Sequence, residues 1–319
     1  MKTATFDAID DYNHTHLCFN IHVDVDHRTF GHLVSDVIVC ALDLALMFIA
    51  VVANILAIAA YRRSSVLQTP SNYLLMILSA VDVVLALTVQ PFFFLWKVLE
   101  LADRFSCWVY LATVLLINFL GAVSFLITSC IISLERYLSV FYPLFHRKNA
   151  NKRCFKVALL VILIGWLAFL LTMFLGEFHV VYFSVATSIV ALCLAGTILC
   201  YRSIFREMSR RCGDRVVSVE SITDERRQVG RIKREKATLM NMIFIVGTMT
   251  ILYAPIGGCV VYAILLGRDW VYMNYFVPWA YVLVFTSNAI HPFLYGWRSR
   301  GMRKSINGVI RSVFEETDV

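Results

Sequence analysis

The chain reads as an all-α membrane protein, a bundle of seven transmembrane helices followed by a short amphipathic helix, and three observations predict it. Hydrophobic residues fill 59% of the 319 positions, charged residues only 16%, and the mean hydropathy is +0.71. An ordinary soluble domain is about a quarter charged, so this chain lacks the polar surface that water requires. Apolar segments recur seven times, each long enough for a bilayer core that takes about 20 helical residues to cross. The basic residues gather in alternate connections, as membrane insertion demands.

Residues 1–33 form a polar, acidic tail with Asp7, Asp10, Asp11, Asp24 and Asp26, and no apolar leader core stands in it. The first span is therefore expected to act as its own insertion signal. Asn13-His14-Thr15 is a glycosylation sequon on Asn13. The spans follow at 34–61, 72–96, 105–140, 157–175, 180–206, 233–266 and 272–297. The membrane-embedded body therefore runs over 34–297. Of the 29 lysines and arginines, all except Lys2, Arg28, Lys97, Arg104 and Arg268 fall on one side of this assignment. The positive-inside rule then puts the amino terminus outside the cell and the carboxyl terminus in the cytosol of a multi-pass plasma-membrane protein. The connection at 207–232 is the longest and mixes both signs of charge, which suits a mobile cytoplasmic segment.

Beyond the last span, Met302, Ile306, Ile310, Val313 and Phe314 recur at helical spacing among Arg298, Arg300, Arg303, Lys304 and Arg311. That pattern predicts an amphipathic helix over 298–314 lying on the inner leaflet and touching membrane lipid. A tail of 315–319 ends in Thr317-Asp318-Val319, a pattern that can add as a strand to a PDZ domain. The nine cysteines show no metal-ligand spacing, so no metal site or cofactor is expected. No aromatic-and-basic module of the nucleic-acid type is present either.

Charged and polar groups inside the spans carry the functional signal, because hydrocarbon offers them no water. No charge stands between Arg104 and Glu135, and Arg136 follows at the inner mouth of the third span. Glu135 is the first partner available to that guanidinium. Glu235 is a second, since it precedes Pro255 by a distance that spans about 30 Å of helix and so reaches the same level. Two carboxylates and one arginine make a latch. Further buried polar or helix-bending residues are Asn54, Asp82, Pro91, Asn118, Trp166, Pro255, Ser287, Asn288, His291, Pro292 and Tyr295. Taken singly, each reads as well as a bond between neighbouring helices, an anchor or a tolerated kink.

Together, Asn54, Leu78-Ser79-Ala80-Val81-Asp82, Glu135-Arg136-Tyr137, Trp166, Pro255 and Asn288-Ala289-Ile290-His291-Pro292-Phe293-Leu294-Tyr295 form an ordered set. The set resembles the rhodopsin-like (family A) G protein-coupled receptors over residues 34–314. The resemblance implies that Arg136 engages a heterotrimeric G protein, that Glu135 and Glu235 restrain it, and that Tyr201 and Tyr295 swing inward on activation. It implies that Asp82 centres a buried polar cluster with Asn54, Ser287, Asn288 and His291. In the family that cluster often holds sodium.

Departures from the pattern are informative. Tyr253 stands at the family's span-six tryptophan, the span-five proline is missing, and His291 replaces the usual asparagine or aspartate before Pro292. Phe125 stands where span three commonly offers Asp82 a hydroxyl, which argues against sodium and suggests that His291 pairs with Asp82 and makes signalling pH-sensitive. The family's disulfide to the second outer loop cannot form, because that loop has no cysteine, and Cys18 is the outward thiol left to reach Cys107. These features look like the branch of melanocortin, cannabinoid and lysophospholipid receptors, although Phe92 and Leu115 stand where melanocortin receptors carry carboxylates.

By the family's geometry, Phe92, Leu115, Asn118, Phe119, Tyr253, Ile256, Tyr281 and Phe285 face a pocket in the outer half. Its apolar lining suits an uncharged or lipid-like extracellular ligand better than an amine, and plain helix packing explains the same aromatics equally well. A seven-span transporter or channel is the rival reading. It predicts repeated halves and a continuous polar path, and the sequence shows neither. No nucleophile constellation points to an enzyme.

Overall fold

The computed structural model describes residues 15–18, 21–24, 29–149, 152–172, 179–216, 244, 246–262, 265, 275–298 and 300–317. Seven helices among them build the bundle: α1 (Phe30–Arg63), α2 (Pro70–Leu101), α3 (Cys107–Phe141), α4 (Lys152–Leu171), α5 (His179–Val216), the shorter α6 (Val246–Tyr262) and α7 (Val277–Arg298). An eighth, α8 (Arg300–Thr317), follows, and a two-turn helix, Pro143–Asn149, bridges α3 to α4. Five of them, α1 to α5, are long and apolar enough by length and composition to cross a membrane. With 34 residues, α1 is about 51 Å long at 1.5 Å per residue, well beyond a hydrocarbon core of about 30 Å. The chain is a multi-pass membrane protein of the seven-helix kind.

Local chemistry sets the helix ends. Thr29 caps α1 by accepting from the backbone N–H of His32, and Thr69 caps α2 by accepting from that of Asn72, with Pro70 at the first helical position. The exit of α2 passes through Asp103, a non-glycine residue at φ 55°, where Asp103 N–H donates to Glu100 O and Arg104 N–H to Leu99 O. Those two bonds satisfy carbonyls that the helix end would otherwise orphan. Two π-helical stretches, Ile117–Gly121 and Ile127–Ile132, interrupt α3. A wide turn of this kind rotates the residues below it, and such turns cluster at functional sites.

The packing order follows from small residues and aromatics. α1 packs between α2 and α7, α2 touches α3 and α7, α3 meets α4 and α5, and α8 folds back against α1. Ala50, Ala86 and Ala289 pack together as small buried residues where α1, α2 and α7 meet. An aromatic layer sits toward the end of the bundle away from Arg136, with Phe93 edge-on to Trp96, Tyr281 and Phe285.

Three features of the structure add to or adjust the expected layout. The amino-terminal tail carries a hairpin, β1 (Thr15–Cys18) with β2 (Ile21–Asp24), antiparallel with Cys18 opposite Ile21. Alternating His16, Leu17, His22 and Val23 give it a strand period that the acidic composition masks. The span-five helix does not stop at residue 206 but continues to Val216, so the first part of the supposed mobile connection is helical. Helix formers such as Arg206, Glu207, Met208 and Arg210, with Arg210 paired to Glu207 at 3.2 Å one turn away, carry it on past the membrane. The amphipathic helix is shifted to Arg300–Thr317, extending past the expected end at residue 314.

Candidate functional site

At one end of the bundle α3 presents Glu135 and Arg136, both buried, with 3% and 7% of their surface exposed. Arg136 Nε lies 2.8 Å from Glu135 Oε2. The other carboxylate oxygen of Glu135 accepts from Ser71 Oγ at 2.9 Å, and His146 Nε2 lies 2.9 Å from it. Glu135 is thus held by α2, by its own helix and by the bridging helix, so the carboxylate has several partners to offset its desolvation. Arg136 Nη2 is buried and meets no acceptor among the described residues. Tyr137 stacks on Phe141 at 4.5 Å between centroids, turned away from that pair. Tyr201 is buried on α5, within the hydrophobic cluster that also holds Ile132 and Tyr137. Glu235, the second expected restraint, and Asn13, the expected glycosylation site, lie outside the described residues.

Midway along the bundle a second polar group is fully enclosed. His291 Nδ1 lies 2.7 Å from Asp82 Oδ2, Ser124 Oγ donates to Asp82 Oδ1 at 3.1 Å, and Ser287 Oγ lies 3.3 Å from His291 Nε2. Asn54 Nδ2 donates to Ala50 O at 2.9 Å and to Asn288 O at 3.1 Å. Asp82, Ser124, Ser287, Asn288 and His291 all show no exposed surface. The sequence-expected residues Asn54, Asp82, Ser287, Asn288 and His291 therefore meet in one layer that ties α1, α2, α3 and α7. The expectation that Asp82 lacks a hydroxyl from span three is overturned. Ser124, one position before Phe125, supplies it, and Phe125 instead packs on Tyr253 at 5.6 Å. Two wide turns, Ile117–Gly121 and Ile127–Ile132, flank this stretch of α3, and the second lies between Ser124 and Arg136, so spacing counted along a regular helix from Arg136 misses the register. Pro292 is buried in α7 beside this layer, and the side chain of Tyr295 lies outside those described.

Toward the opposite end a cavity of about 170 Å³ opens between α3, α4, α5, α6 and α7. Of the expected lining residues, Asn118, Tyr253, Ile256 and Tyr281 face it, joined by Tyr110, Phe125, Trp166 and Thr187. Asn118 Nδ2 is turned back to Val114 O at 2.8 Å, while its own carbonyl accepts from Trp166 Nε1 at 2.8 Å and so pins α4 to α3. Tyr253 Oη donates to Gly121 O at 3.4 Å. Phe92 is not on the wall. It faces outward, and Phe93, the next residue, is the one buried against Phe285. Leu115, Phe119 and Phe285 pack into helix interfaces and do not line the cavity.

Sequence reasoning missed a third group. His32, Asp36, Lys97 and Glu100 are buried together between α1 and α2. Asp43 and Gln90 lie further along the same helices, with Gln90 Nε2 donating to Asp43 Oδ1 at 3.1 Å. The signal was legible: His32, Asp36 and Asp43 recur at spacings of one and two helical turns, and Lys97 precedes Glu100 by one turn. Cys107 is disulfide-bonded at the start of α3, and β1, which ends at Cys18, packs against that helix. The side chain of Cys18 is outside those described.

Comparison with known proteins gives one consistent picture. Residues 53–179 match the model of the 7 transmembrane receptor (rhodopsin family). The chain is similar to the adenosine receptor A2b of Bos taurus, 34% identical over 134 residues, covering 41% of this chain and 39% of that receptor. It is 31% identical over 138 residues to the D(3) dopamine receptor of Mus musculus, covering 41% and 28%. It is 30% identical over 118 residues to the alpha-1A adrenergic receptor of Oryzias latipes, covering 36% and 24%. In each case the match spans less than two fifths of the relative's length.

Proposed function

We propose that this chain, a member of the rhodopsin-like family of seven-transmembrane receptors, acts as a G protein-coupled receptor with its amino terminus outside the cell. In this reading residues 1–33 are an extracellular tail, 34–297 the transducing body, and α8 with the last residues a cytoplasmic appendix on plasma-membrane lipid. The observation that carries the proposal is the buried Glu135–Arg136 pair at one end of the bundle, with the cavity of Asn118, Tyr253 and Tyr281 toward the other.

The mechanism is a population shift. An arginine held at the membrane edge in a carboxylate's grip is stable in the closed bundle and becomes available to a heterotrimeric G protein when the inner end of α6 moves away. A ligand that binds the open form better tips that equilibrium by its differential affinity alone. Glu235, on the approach to α6, is the second carboxylate of the latch. Arg136 Nη2, buried with no acceptor among the described residues, supports that assignment. Tyr201 and Tyr295 are proposed to fill the space that Arg136 leaves, and Tyr137 and Pro292 to shape the two helix ends.

For the ligand we infer an uncharged molecule. The cavity wall is mostly Val, Ile and aromatic side chains, and its polar handles, Tyr110, Asn118, Trp166, Thr187, Tyr253 and Tyr281, are all neutral. A Cys18–Cys107 bridge, a glycan on Asn13 and PDZ binding by the last three residues complete the proposal.

The test is nucleotide exchange on purified heterotrimeric G proteins by the full chain in lipid nanodiscs, across a panel of lipids, nucleosides and neutral metabolites. The account expects exchange above the empty-nanodisc level, abolished by Arg136→Ala. A receptor that stimulates no G protein, or whose stimulation survives that substitution, overturns it.

A further inference from the structure

Where α3 passes α5, two thiols meet. Cys130 Sγ lies 3.2 Å from Cys193 Sγ, and both side chains are half-buried, with Leu192 exposed beside Cys193 on the outer surface of α5. The wide turn Ile127–Ile132 carries Cys130, and one turn along α5 from Cys193 the hydroxyl of Thr197 donates to Ser129 O at 2.8 Å. That bond fixes the register of the two helices at the residue next to Cys130. Cys130 lies about 9 Å along α3 from Arg136, and Cys193 about 13 Å along α5 from Arg202, so both thiols stand within the depth of the hydrocarbon. Neither is on the wall of the cavity, and the open part of each faces lipid. Closing the pair to a disulfide, with its sulfurs about 2 Å apart, takes a shift of about 1 Å.

We propose that Cys130 and Cys193 form a modification site, a thiol pair that hydroperoxides of the surrounding lipid convert to a disulfide joining α3 to α5. One thiol sulfur takes the terminal oxygen of the hydroperoxide, whose O–O bond breaks to release the lipid alcohol. The sulfenic acid so formed is attacked by the second thiol, the S–S bond closes and water leaves. Two thiols are oxidised and one hydroperoxide is reduced, so the step needs no other reactant. Glutathione, a charged tripeptide, is excluded from hydrocarbon, so the bond outlasts disulfides that the aqueous thiol pool can reach. Cys200, two turns along α5 from Cys193 and also half-buried, is the competing thiol, but the contact with Cys130 belongs to Cys193. The disulfide would turn a lone contact between α3 and α5 into a covalent tie.

The experiment treats the full chain in lipid nanodiscs with cumene hydroperoxide, alkylates the remaining thiols in denaturant and maps the chymotryptic peptides by mass, since cleavage at Leu194 and Leu199 separates Cys193 from Cys200. A peptide linking Cys130 to Cys193 should appear at several-fold its level in untreated protein. Recovery of both cysteines alkylated, or a link from Cys130 to Cys200 instead, overturns the site. Cys200→Ala should leave the yield of the link unchanged, and a loss there overturns it equally. Glutathione added after the peroxide should leave the link in place while a membrane-permeant phosphine removes it, and removal by glutathione contradicts the sheltered placement. Because the readout is a covalent bond and not nucleotide exchange, it stands or falls apart from the proposed signalling function.

Discussion

The two sides of the bundle are built differently. In α2 and α3, 56% of the most apolar stretch is buried inside the protein, whereas α4 and α5 bury 17% and 11%. The α1–α2–α3–α7 side is cross-linked by polar groups, with Asn54 to Asn288, His291 and Ser124 to Asp82, and Lys97 to Asp36. The α4–α5 side reaches α3 through lone contacts between neutral groups: Trp166 to Asn118 O, Thr197 Oγ1 to Ser129 O at 2.8 Å, and the thiols of Cys130 and Cys193 at 3.2 Å. One side is a frame whose buried polar groups need one another. The other is held by a few interhelical bonds in lipid, each worth about 0.6 kcal/mol, and is free to shift without stranding a charge.

That contrast can be broken by removing its strongest member. His291→Leu leaves Asp82 with Ser124 alone, and an orphaned partner of a buried pair costs about 3–5 kcal/mol, enough to lower the Tm of the purified protein sharply or to prevent folding. The double variant Asp82→Asn, His291→Leu should recover most of the loss. If the single variant melts like the wild type, the frame does not depend on this pair. Cys107→Ser removes the bridge that fixes the start of α3, with a loss of about 2–5 kcal/mol. Cys18→Ser should match it in both size and insensitivity to reductant if these two cysteines are the pair, and a smaller effect assigns Cys107 another partner.

Ser124→Ala strips one hydrogen bond from Asp82 and should cost about 1–3 kcal/mol by the same melt, since a buried acceptor is left short. Thr197→Val on the looser side should cost about 0.6 kcal/mol, at the edge of detection. A Thr197 effect as large as that of Ser124 would erase the distinction between the two sides.

Much of the frame was legible because hydrocarbon makes polar residues conspicuous. Asp82, His291, Asn54 and Arg136 stand out of apolar runs, and the structure puts each against a polar partner or carbonyl that the chain order suggested. What escaped were matters of register and of charge at helix starts. Phe92 for Phe93 and Phe125 for Ser124 are both one-residue slips, and each turns a side chain by about 100° around a helix of 3.6 residues per turn. In α3 the wide turn at Ile127–Ile132, between Ser124 and Arg136, produces such a slip with no mark in composition. The His32–Glu100 group was overlooked because it straddles the expected edge of the first span, where charges look solvated until the helix proves to begin at Phe30. The hairpin at Thr15–Asp24 was hidden by the acidity of its tail.

The central claim is that Arg136 is held closed by carboxylates and released for a G protein. Its most direct measurement is the basal nucleotide-exchange rate of the reconstituted chain with Glu235→Gln, in the absence of any ligand. The account predicts a rate several-fold above the wild type, returned to background by adding Arg136→Ala. A basal rate no higher than the wild type's would contradict it.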